Sequence, residues 1–404
     1  MRKGQSSSSK RSFSADFGFR SELLFFDRLD RSATQSLSEL CDVSQSVVII
    51  DRKVWDSIQA AANSSGRTWL KKFPVVLKVQ AGEQLKSISA FQRILTQIDR
   101  NVGDRVARSW TIVAIGGGSV GDFAGFLASV YKRGLSLIHV PSTWLAAVDS
   151  AHGGKTALNG LGAKNQIGTF YPAKAVLLIK EILAFQKDLH VRSAMGEFAK
   201  AALLSGSRSD SESGSGSSGS VFASLVKSMD VSRSKNPNDQ IAVQRRTDLM
   251  WSALPSAIDI KMSYVDRDPF ERTGERFALN LGHTFGHCLE SHARVPHGLA
   301  VGAGLRFMLD VSLDQKSLSR QAHAQFNQLL DQLDVPSQLE AQTWLKKRPW
   351  NRKILVRLLA QDKKAIGTDR VIRFVVLEGF GRTSVRFLTA EELVAIAHRF
   401  GWIK

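Results

Sequence analysis

The sequence predicts an N-terminal α/β domain with a parallel sheet and a mainly α-helical C-terminal domain. The chain has 404 residues, which is too many for one simple core. Up to about residue 185, short apolar segments alternate with helical segments, as they do in doubly wound sheets. Beyond that point the pattern becomes helical. We therefore predict one domain over 21–185 and a second over 186–404.

Five apolar segments predict the strands of the parallel sheet. They are SVVII (46–50), FPVVLKV (73–79), TIVAI (111–115), LSLIHVP (135–141) and AVLLI (175–179). Near the end of the chain, RVIRFVVL (370–377) and TSVRFL (383–388) predict a hairpin. Thr389 and Glu392 have the spacing of a capping box, which predicts a final helix after the hairpin.

Two segments have the composition of flexible chain. Residues 1–20 open with MRKGQSSSSKRSFSA, which is basic, rich in serine and free of acids. This predicts a disordered tail, with a targeting segment as the alternative. The segment SGSRSDSESGSGSSGS (205–220) has no apolar anchor and predicts a flexible insertion.

Charge, cysteine content and hydropathy limit the classes of function. The net charge is +18, but the basic residues are spread along the chain, which favours a basic proteome or an anionic small substrate over nucleic acid. Cys41 and Cys288 are too few for a disulfide framework, which fits a reducing compartment. The apolar stretch 111–131 contains several glycines and Asp122, which makes a poor membrane span. We expect a cytoplasmic protein with no nucleic-acid or membrane partner.

A glycine-rich turn predicts a nucleotide-binding site. Gly116, Gly118 and Gly121 form a G-x-G-x-x-G pattern between a predicted strand and a predicted helix, which is the context this fingerprint requires. Glycines let the backbone approach a pyrophosphate, and a helix N-terminus favours the anion. The pattern is also compatible with a turn whose glycines serve close packing alone.

The acid that usually follows this fingerprint is absent, because 123–148 contains no Asp or Glu. Asp51, at the end of a predicted strand, and Glu83 are the candidates to bind the ribose instead. The first domain is therefore predicted to be a variant Rossmann-like nucleotide-binding domain. GGKT (153–156) resembles the end of a P-loop, but Asp149 stands where that motif needs glycine.

A polar stripe in the second domain predicts a functional site. Arg276, Asn280, His283 and His287 follow one another at spacings that place them on one face of a helix. A structural helix would bury apolar residues on that face, and a solvated face would rarely carry two histidines. We therefore predict that these four side chains line a site.

A metal site needs more ligands than this histidine pair. His297 follows after a short loop, and Glu197 lies in a predicted small-residue helix with Lys200 one turn later. One glutamate and two histidines would leave a position open for substrate, as in catalytic zinc sites. The spacing leaves open which two of His283, His287 and His297 would bind the ion.

Taken in order, these motifs resemble those of the sugar phosphate cyclase family, and within it the 3-dehydroquinate synthases. The resemblance extends from about Val47 to Thr383. It is carried by GGGSVGDFAGFLASVYKRG, VPSTWLAAVDSAHGGKTALN, GAKNQIGTFY, MGEFAKAAL, NLGHTFGH, PHGLAVG and QDKK. The family's HGE sequence is HGL here, with Leu299 in the place of the glutamate.

The resemblance implies a role for each matched residue. The metal ligands would be Glu197, His283 and His297, and His287 would be catalytic. The other substrate contacts would be Asp149, Lys155, Lys164, Asn165, Lys200, Lys261, Arg276, Asn280 and, of the pair Lys363 and Lys364, Lys364. The residues that bind NAD would be Asp51, Glu83, Lys86, Gly116, Gly117, Gly118, Gly121, Asp122, Ser142 and Thr143, together with Asp149, Lys155 and Lys164. Arg133 would reach the site of a partner subunit, which implies a homodimer.

The implied reaction converts 3-deoxy-D-arabino-heptulosonate 7-phosphate to 3-dehydroquinate and phosphate in the shikimate pathway. Its course would be oxidation at C5 by NAD, phosphate elimination, reduction by the NADH just formed, ring opening and aldol closure. Zinc or cobalt would bind the C4 and C5 oxygens, and lysines and arginines would bind the anionic substrate. The alternatives are a sibling cyclase with another product, a metal-dependent polyol dehydrogenase and a non-catalytic basic interaction protein.

Overall fold

The computed structural model describes residues 9–15, 19–61, 65–160, 162–205, 240–360, 365–366 and 371–404. The chain divides into two compact units, Met1–Lys187 and Asp188–Lys404. Nearly all of the predicted insertion (205–220) lies outside the described residues, as do Lys363 and Lys364.

The strands of the first unit form one large sheet and one hairpin. They are β1 Ser9–Ala15, β2 Phe19–Phe26, β3 Ser46–Asp51, β4 Val75–Val79, β5 Thr111–Gly116, β6 Ser136–Pro141, β7 Lys155–Gly160, β8 Ala163–Phe170 and β9 Ala175–Ile179. Seven of them pair in the order β1-β2-β9-β6-β5-β3-β4. All neighbours in this sheet are parallel except β1 and β2. The antiparallel hairpin β7–β8 is separate.

Six helices accompany these strands. They are α1 Arg31–Leu40, α2 Arg52–Ala60, α3 Ser65–Leu70, α4 Ile88–Val102, α5 Gly118–Val130 and α6 Lys180–Leu183. Side chains cap the starts of three of them: Asp30 accepts from Ala33 N–H, Asp51 from Lys53 N–H and Ser87 from Ala90 N–H. Strands β3 and β5 are buried along their whole length, as expected of parallel strands covered on both faces.

All five predicted strands of the parallel sheet are confirmed, with small differences at their ends. The predicted disorder of residues 1–20 is wrong for residues 9–15, which form β1. Strand β2 offers backbone N–H and C=O groups along its outer edge, and β1 pairs with that edge from Ser9 opposite Phe25 to Ala15 opposite Phe19.

The second unit is mainly helical, as predicted. Its helices are α7 Asp188–Leu204, α8 Gln240–Arg267, α9 His283–Ala293, α10 His297–Asp314, α11 Arg320–Gln332, α12 Gln338–Leu345, α13 Arg352–Ala360 and α14 Ala390–Arg399. The predicted hairpin is present as β11 Val371–Gly379 and β12 Arg382–Leu388, with the short β10 Ala365–Ile366 beside it. The predicted capping box is also present, since Thr389 and Glu392 each accept the other's backbone N–H.

Glycines let three helices of the second unit pack backbone against backbone. A Cβ on Gly298 of α10 would overlap the carbonyl oxygen of Ser193 on α7, and one on Gly196 of α7 would overlap the carbonyl oxygen of Gly298. A Cβ on Gly304 of α10 would likewise overlap the carbonyl oxygen of Gly282, just before α9. This close approach sets the separation of the side chains that α7, α9 and α10 carry.

In the described ranges no helix is both long enough and apolar enough to cross a membrane.

Candidate active site

Three side chains of the second unit form a cluster that could hold a metal ion. Glu197 lies on α7, while His283 and His297 are the first residues of α9 and α10. Glu197 Oε1 is 3.4 Å from His283 Nε2 and 3.9 Å from His297 Nε2, and potential ligand atoms of all three lie within 4.8 Å of one another. One carboxylate oxygen and two imidazole nitrogens form a donor set typical of catalytic zinc sites.

The carboxylate of Glu197 supports this interpretation independently. The residue is only 2% exposed, and its Oε2 forms an ion pair with Lys200 Nζ at 2.5 Å. Its Oε1 has no hydrogen-bond partner within the part of the chain that the structure describes. A buried carboxylate oxygen without a partner costs free energy unless it binds a cation. The donor set and this oxygen therefore fit a metal.

Both histidines of the cluster have a partner on the ring nitrogen that faces away from Glu197. His283 Nδ1 lies 3.1 Å from the carbonyl oxygen of Leu281, and His297 Nδ1 lies 2.7 Å from Glu290 Oε2. Acceptors at these positions favour the proton on Nδ1 and leave the Nε2 lone pair for an ion. Glu290 was not predicted from the sequence.

His287 lies one turn after His283 on α9, and it is exposed. The centroids of these two rings are 5.5 Å apart. Together with Glu290 and His297, His287 forms a second group that could hold a metal. That group is the more exposed of the two, and Glu290 already binds His297. We therefore favour the buried group with Glu197 as the metal centre.

The predicted helical stripe is wrong in its first half. Residues Glu275–Asn280 form a 3₁₀ segment, and α9 begins only at His283. Between them Gly282 has φ 76°, a left-handed conformation that favours glycine. Arg276 and Asn280 therefore do not continue the helical face that His283 and His287 share.

A buried aspartate organises the loop before this segment. Asp268 is 2% exposed and accepts backbone N–H groups from Arg272, Thr273, Gly274 and Arg276 at 2.7, 3.1, 2.9 and 3.3 Å. Burial raises the pKa of Asp268, but these donors outweigh burial and hold the pKa below its ordinary value. This residue was not predicted from the sequence. The signal that could have found it is an Asp-Pro pair followed by glycine within a polar stretch.

Two predicted substrate residues, Arg276 and Asn280, lie on the 3₁₀ segment, and a third, Lys261, lies on the helix that precedes it. Arg276 donates to the carbonyl oxygen of Pro269 at 2.8 Å and lies 3.7 Å from Glu271. Asn280 Nδ2 lies 3.2 Å from the carbonyl oxygen of Phe277, and Lys261 lies on α8.

In the first unit, the predicted arrangement of strand, glycine-rich turn and helix is present. Strand β5 ends at Gly116 and α5 begins at Gly118. A Cβ on Gly117 would lie 3.0 Å from Thr143, and one on Gly121 would lie 3.4 Å from His139. The turn therefore presents bare backbone at a helix N-terminus, and its glycines also serve packing. The packing interpretation of the motif is therefore supported, and nucleotide binding at this turn stays a prediction.

Two further predicted residues, Ser142 and Thr143, directly follow β6, the strand beside β5. The N–H of Ser142 donates to the carbonyl oxygen of Gly116 at 2.9 Å, and Thr143 Oγ1 accepts the N–H of Ala146 at 3.1 Å. Asp51 caps α2, with its Oδ1 3.3 Å from Lys53 N. These bonds order the chain around the turn, and the predicted nucleotide contacts of Asp51, Ser142 and Thr143 stay predictions.

A network of polar side chains joins five predicted residues beside the turn. The buried Lys86 donates to Asp122 Oδ2 at 2.5 Å and also to Asn165 Oδ1. Glu83 Oε1 lies 3.3 Å from Lys164 Nζ. Burial raises the pKa of Asp122 above its ordinary value, although Lys86 acts in the opposite direction.

One member of this network was not predicted. Asn159, on β7, donates to Glu83 Oε2 at 2.7 Å and accepts the backbone N–H of Asn165 at 3.0 Å. The sequence contains no local signal for this role, because Glu83 lies 76 residues away.

Three predicted residues of the first unit lie on other segments. Lys155 begins β7, and Asp149 lies in a short π-helical turn at Ala146–Ser150. Arg133 lies in the turn before β6 with φ 63°.

Solved structures with a similar fold include sugar phosphate cyclases and dehydrogenases. A 2-deoxy-scyllo-inosose synthase complexed with carbaglucose-6-phosphate, NAD+ and Co2+ superposes with a TM-score of 0.74 at 22% identity, covering 97% of this chain and 99% of that one. The 2-epi-5-epi-valiolone synthase of Streptomyces hygroscopicus subsp. jinggangensis 5008, with NAD+ and Zn2+ bound, has a TM-score of 0.69 at 18% identity and covers 96% and 99%. These similarities confirm the predicted fold class.

Family models and a curated relative identify the family more closely. The chain matches the N-terminal model of 3-dehydroquinate synthase over residues 76–193 and its C-terminal model over 223–365. The 3-dehydroquinate synthase of Coxiella burnetii (strain Dugway 5J108-111) is 32% identical over 307 residues, which cover 75% of this chain and 76% of that protein. The resemblance found in the sequence is thus confirmed, and the chain belongs to the 3-dehydroquinate synthase family.

Proposed function

We propose that this chain is a 3-dehydroquinate synthase, a lyase that converts 3-deoxy-D-arabino-heptulosonate 7-phosphate to 3-dehydroquinate and phosphate. Family membership supports the reaction. The observation in this chain that carries the proposal is the buried Glu197 Oε1, which lacks a hydrogen-bond partner among the described residues and lies close to two imidazole nitrogens.

Glu197, His283 and His297 would hold a divalent cation, either zinc or cobalt. When bound, the cation supplies a Lewis acid that lowers the pKa of a substrate alcohol. Lys200 neutralises the second oxygen of Glu197, which leaves Oε1 as the ligand atom. The acceptors at the Nδ1 atoms of both histidines orient their rings.

NAD would bind at the glycine-rich turn, where backbone N–H groups at the start of α5 face a pyrophosphate. When bound, NAD supplies a hydride acceptor that returns the hydride within the same turnover. The nucleotide contacts proposed for this chain are Asp51, Glu83, Lys86, Gly116, Gly117, Gly118, Gly121, Asp122, Ser142 and Thr143. The network of Glu83, Lys86 and Asp122 supports this placement, because it orders side chains beside the turn.

The remaining residues would bind the substrate and move its protons. His287 is exposed on the helix that carries the ligand His283, which suits a group that exchanges a proton with the C5 oxygen. Cationic and amide side chains would bind the carboxylate, the phosphate and the hydroxyls. These are Lys155, Lys164, Lys200, Lys261, Lys364, Arg276, Asn165 and Asn280, with Asp149 accepting from a hydroxyl. A cytoplasmic homodimer, with Arg133 reaching the site of the second copy, is part of the proposal.

The test is phosphate release from the heptulosonate phosphate by the full chain with metal and catalytic NAD, with NADH followed by absorbance. We expect stoichiometric phosphate and 3-dehydroquinate without net NADH. Accumulating NADH would indicate a polyol dehydrogenase instead. Turnover of a different sugar phosphate, with none of the heptulosonate, would indicate a sibling cyclase.

A further inference from the structure

The side chain of Asn159 connects two residues that are proposed to contact different ligands. Its Nδ2 donates to Glu83 Oε2 at 2.7 Å, and its Oδ1 accepts the backbone N–H of Asn165 at 3.0 Å. The backbone N–H of Asn159 in turn donates to the carbonyl oxygen of Lys86 at 2.7 Å. One amide on β7 thus contacts both the loop before α4 and the start of β8.

Glu83 and Asn165, the two residues that the Asn159 side chain contacts, need this support. Glu83 is an exposed acid on a loop, so its carboxylate is oriented by polar contacts, which are the bond from Asn159 and an ion pair with the exposed Lys164 at 3.3 Å. Asn165 has φ 55°, a left-handed conformation that is uncommon for a residue other than glycine. The N–H bond from Asn165 to Asn159 stabilises that conformation, and Asn165 Oδ1 then accepts from Lys86.

An amide is the side chain that fits both neighbours. Its NH₂ group donates to Oε2 and to the backbone carbonyl oxygen of Glu83, and its oxygen accepts the N–H of Asn165. A carboxylate of the same shape would offer only acceptors, so it would keep the bond from Asn165 and repel Glu83.

We propose that Asn159 is a positioning residue, which holds the carboxylate of Glu83 in the orientation that binds the ribose of NAD and connects Glu83 to Asn165. This inference rests on the proposed function, because it assumes that Glu83 binds NAD. Burial alone would raise the pKa of Glu83, but the bond from Asn159 and the charges of Lys164 and Lys86 lower it. Glu83 is therefore ionised over the neutral range, as an acceptor of ribose hydroxyls must be.

The experiment measures the Kd of NAD by calorimetry on the full chain loaded with zinc. The variant is Asn159→Asp, which replaces the donor NH₂ group by an acceptor oxygen without changing the shape of the side chain. The matched control is Gln166→Glu, an equivalent amide-to-acid change on the exposed part of β8, where Gln166 donates to the carbonyl oxygen of Lys164. Unfolding midpoints are measured without NAD, to separate positioning from stability.

We expect Asn159→Asp to weaken NAD binding about tenfold or more, since a hydrogen bond to a charged group is lost and a repulsion gained. Gln166→Glu should bind NAD as the wild type does, and both variants should unfold at similar temperatures without NAD. Should Asn159→Asp not fold, Asn159→Ala removes both bonds without adding charge and is expected to weaken NAD binding in the same direction.

A swap of donor and acceptor sharpens the test. In the double variant Asn159→Asp with Glu83→Gln, the new amide at position 83 can donate to the new carboxylate. The two substitutions should therefore be non-additive, with the double variant binding NAD more tightly than the two single effects together predict. Additive effects, or unchanged NAD binding in Asn159→Asp, would overturn the inference and leave the proposed function intact. A wild-type chain that binds no NAD would overturn the proposed function itself.

Discussion

The polar network of the first unit and the histidine cluster of the second differ in how their charges are balanced. In the network, each of the two carboxylates lies beside a lysine: Asp122 is 2.5 Å from Lys86, and Glu83 is 3.3 Å from Lys164. In the cluster, the buried Glu197 keeps one oxygen that has no hydrogen-bond partner in the described residues and is close to two imidazole nitrogens.

This difference separates two ways of building a site. The network is ordered by the protein alone, so it should persist without a ligand. In the cluster, Lys200 pairs with Oε2 of Glu197, but Oε1 has no hydrogen-bond partner among the described residues, so part of the stability of the second unit should depend on a bound metal.

The largest effect is expected for Glu197→Gln. The amide keeps an oxygen for Lys200 but removes the charge that binds the cation, so we expect metal affinity to fall by more than the roughly 100-fold seen when partners of metal ligands are removed. Phosphate release should fall to background while the helical circular dichroism is kept. The matched control is Glu391→Gln on the exposed start of α14. Metal retained at wild-type stoichiometry in Glu197→Gln would remove Glu197 from the ligand set.

Lys86→Met should break the polar network of the first unit, and this effect should not require a bound ligand. It leaves the carboxylate of Asp122 without its cation, and removing one partner of a buried ion pair costs about 3 kcal/mol or more. The free energy of unfolding should fall by this amount without NAD, and by more with NAD, because Lys86 is also proposed to contact NAD. Lys53→Met on the exposed face of α2 is the control. A loss seen only in the presence of NAD would mean that the network is not ordered by the protein alone.

Asp268→Asn should destabilise the loop that carries Arg276. The amide presents donors to backbone N–H groups, which we expect to cost about 2 kcal/mol. The pKa of Asp268 is lowered in the folded chain, so its contribution is complete above the ordinary carboxyl range and is lost as pH falls through the lowered pKa. Chemical unfolding of both proteins should therefore give a difference that is constant near neutral pH and shrinks in acid. A constant difference down to the lowest pH would contradict this assignment.

Glu290→Gln should have the smallest effect. The amide can still contact His297 Nδ1, but it no longer supports the ring with a charge, so metal affinity should fall by about tenfold. Competition with a chelator of known affinity measures the change. A loss as large as that of Glu197→Gln would mean that Glu290 itself binds the metal, together with His287 and His297.

How far the sequence predicts this fold depends on the kind of element. The apolar strands β3, β5 and β9 are recognisable because both of their faces are buried. The hairpin of β7 and β8 was missed because much of β8 is exposed and its sequence, AKNQIGTF, has no regular alternation. The strand β1 was missed because its composition is that of a flexible tail.

The site shows the same dependence on tertiary contacts. The i, i+4 spacing predicted that His283 and His287 share a face, but spacing could not decide which of them binds an ion. In the structure, the close packing of α7 on α10 at Gly196 and Gly298 brings Glu197 towards His297. Glu290 and Asn159 were missed because their side chains contact residues on other elements, His297 and Glu83. Asp268 was missed because its partners are backbone N–H groups, although the Asp-Pro pair after α8 marks the turn.

The most direct test of the central claim follows a label through one turnover. The full chain, loaded with zinc and NAD, is given the heptulosonate phosphate carrying deuterium at C5, and the product is examined by mass spectrometry and NMR. If the hydride removed from C5 is returned by the same bound cofactor, the deuterium should be found at the same carbon of 3-dehydroquinate, with no net NADH. Loss of the deuterium to solvent or to free NADH would contradict an internally recycled cyclase.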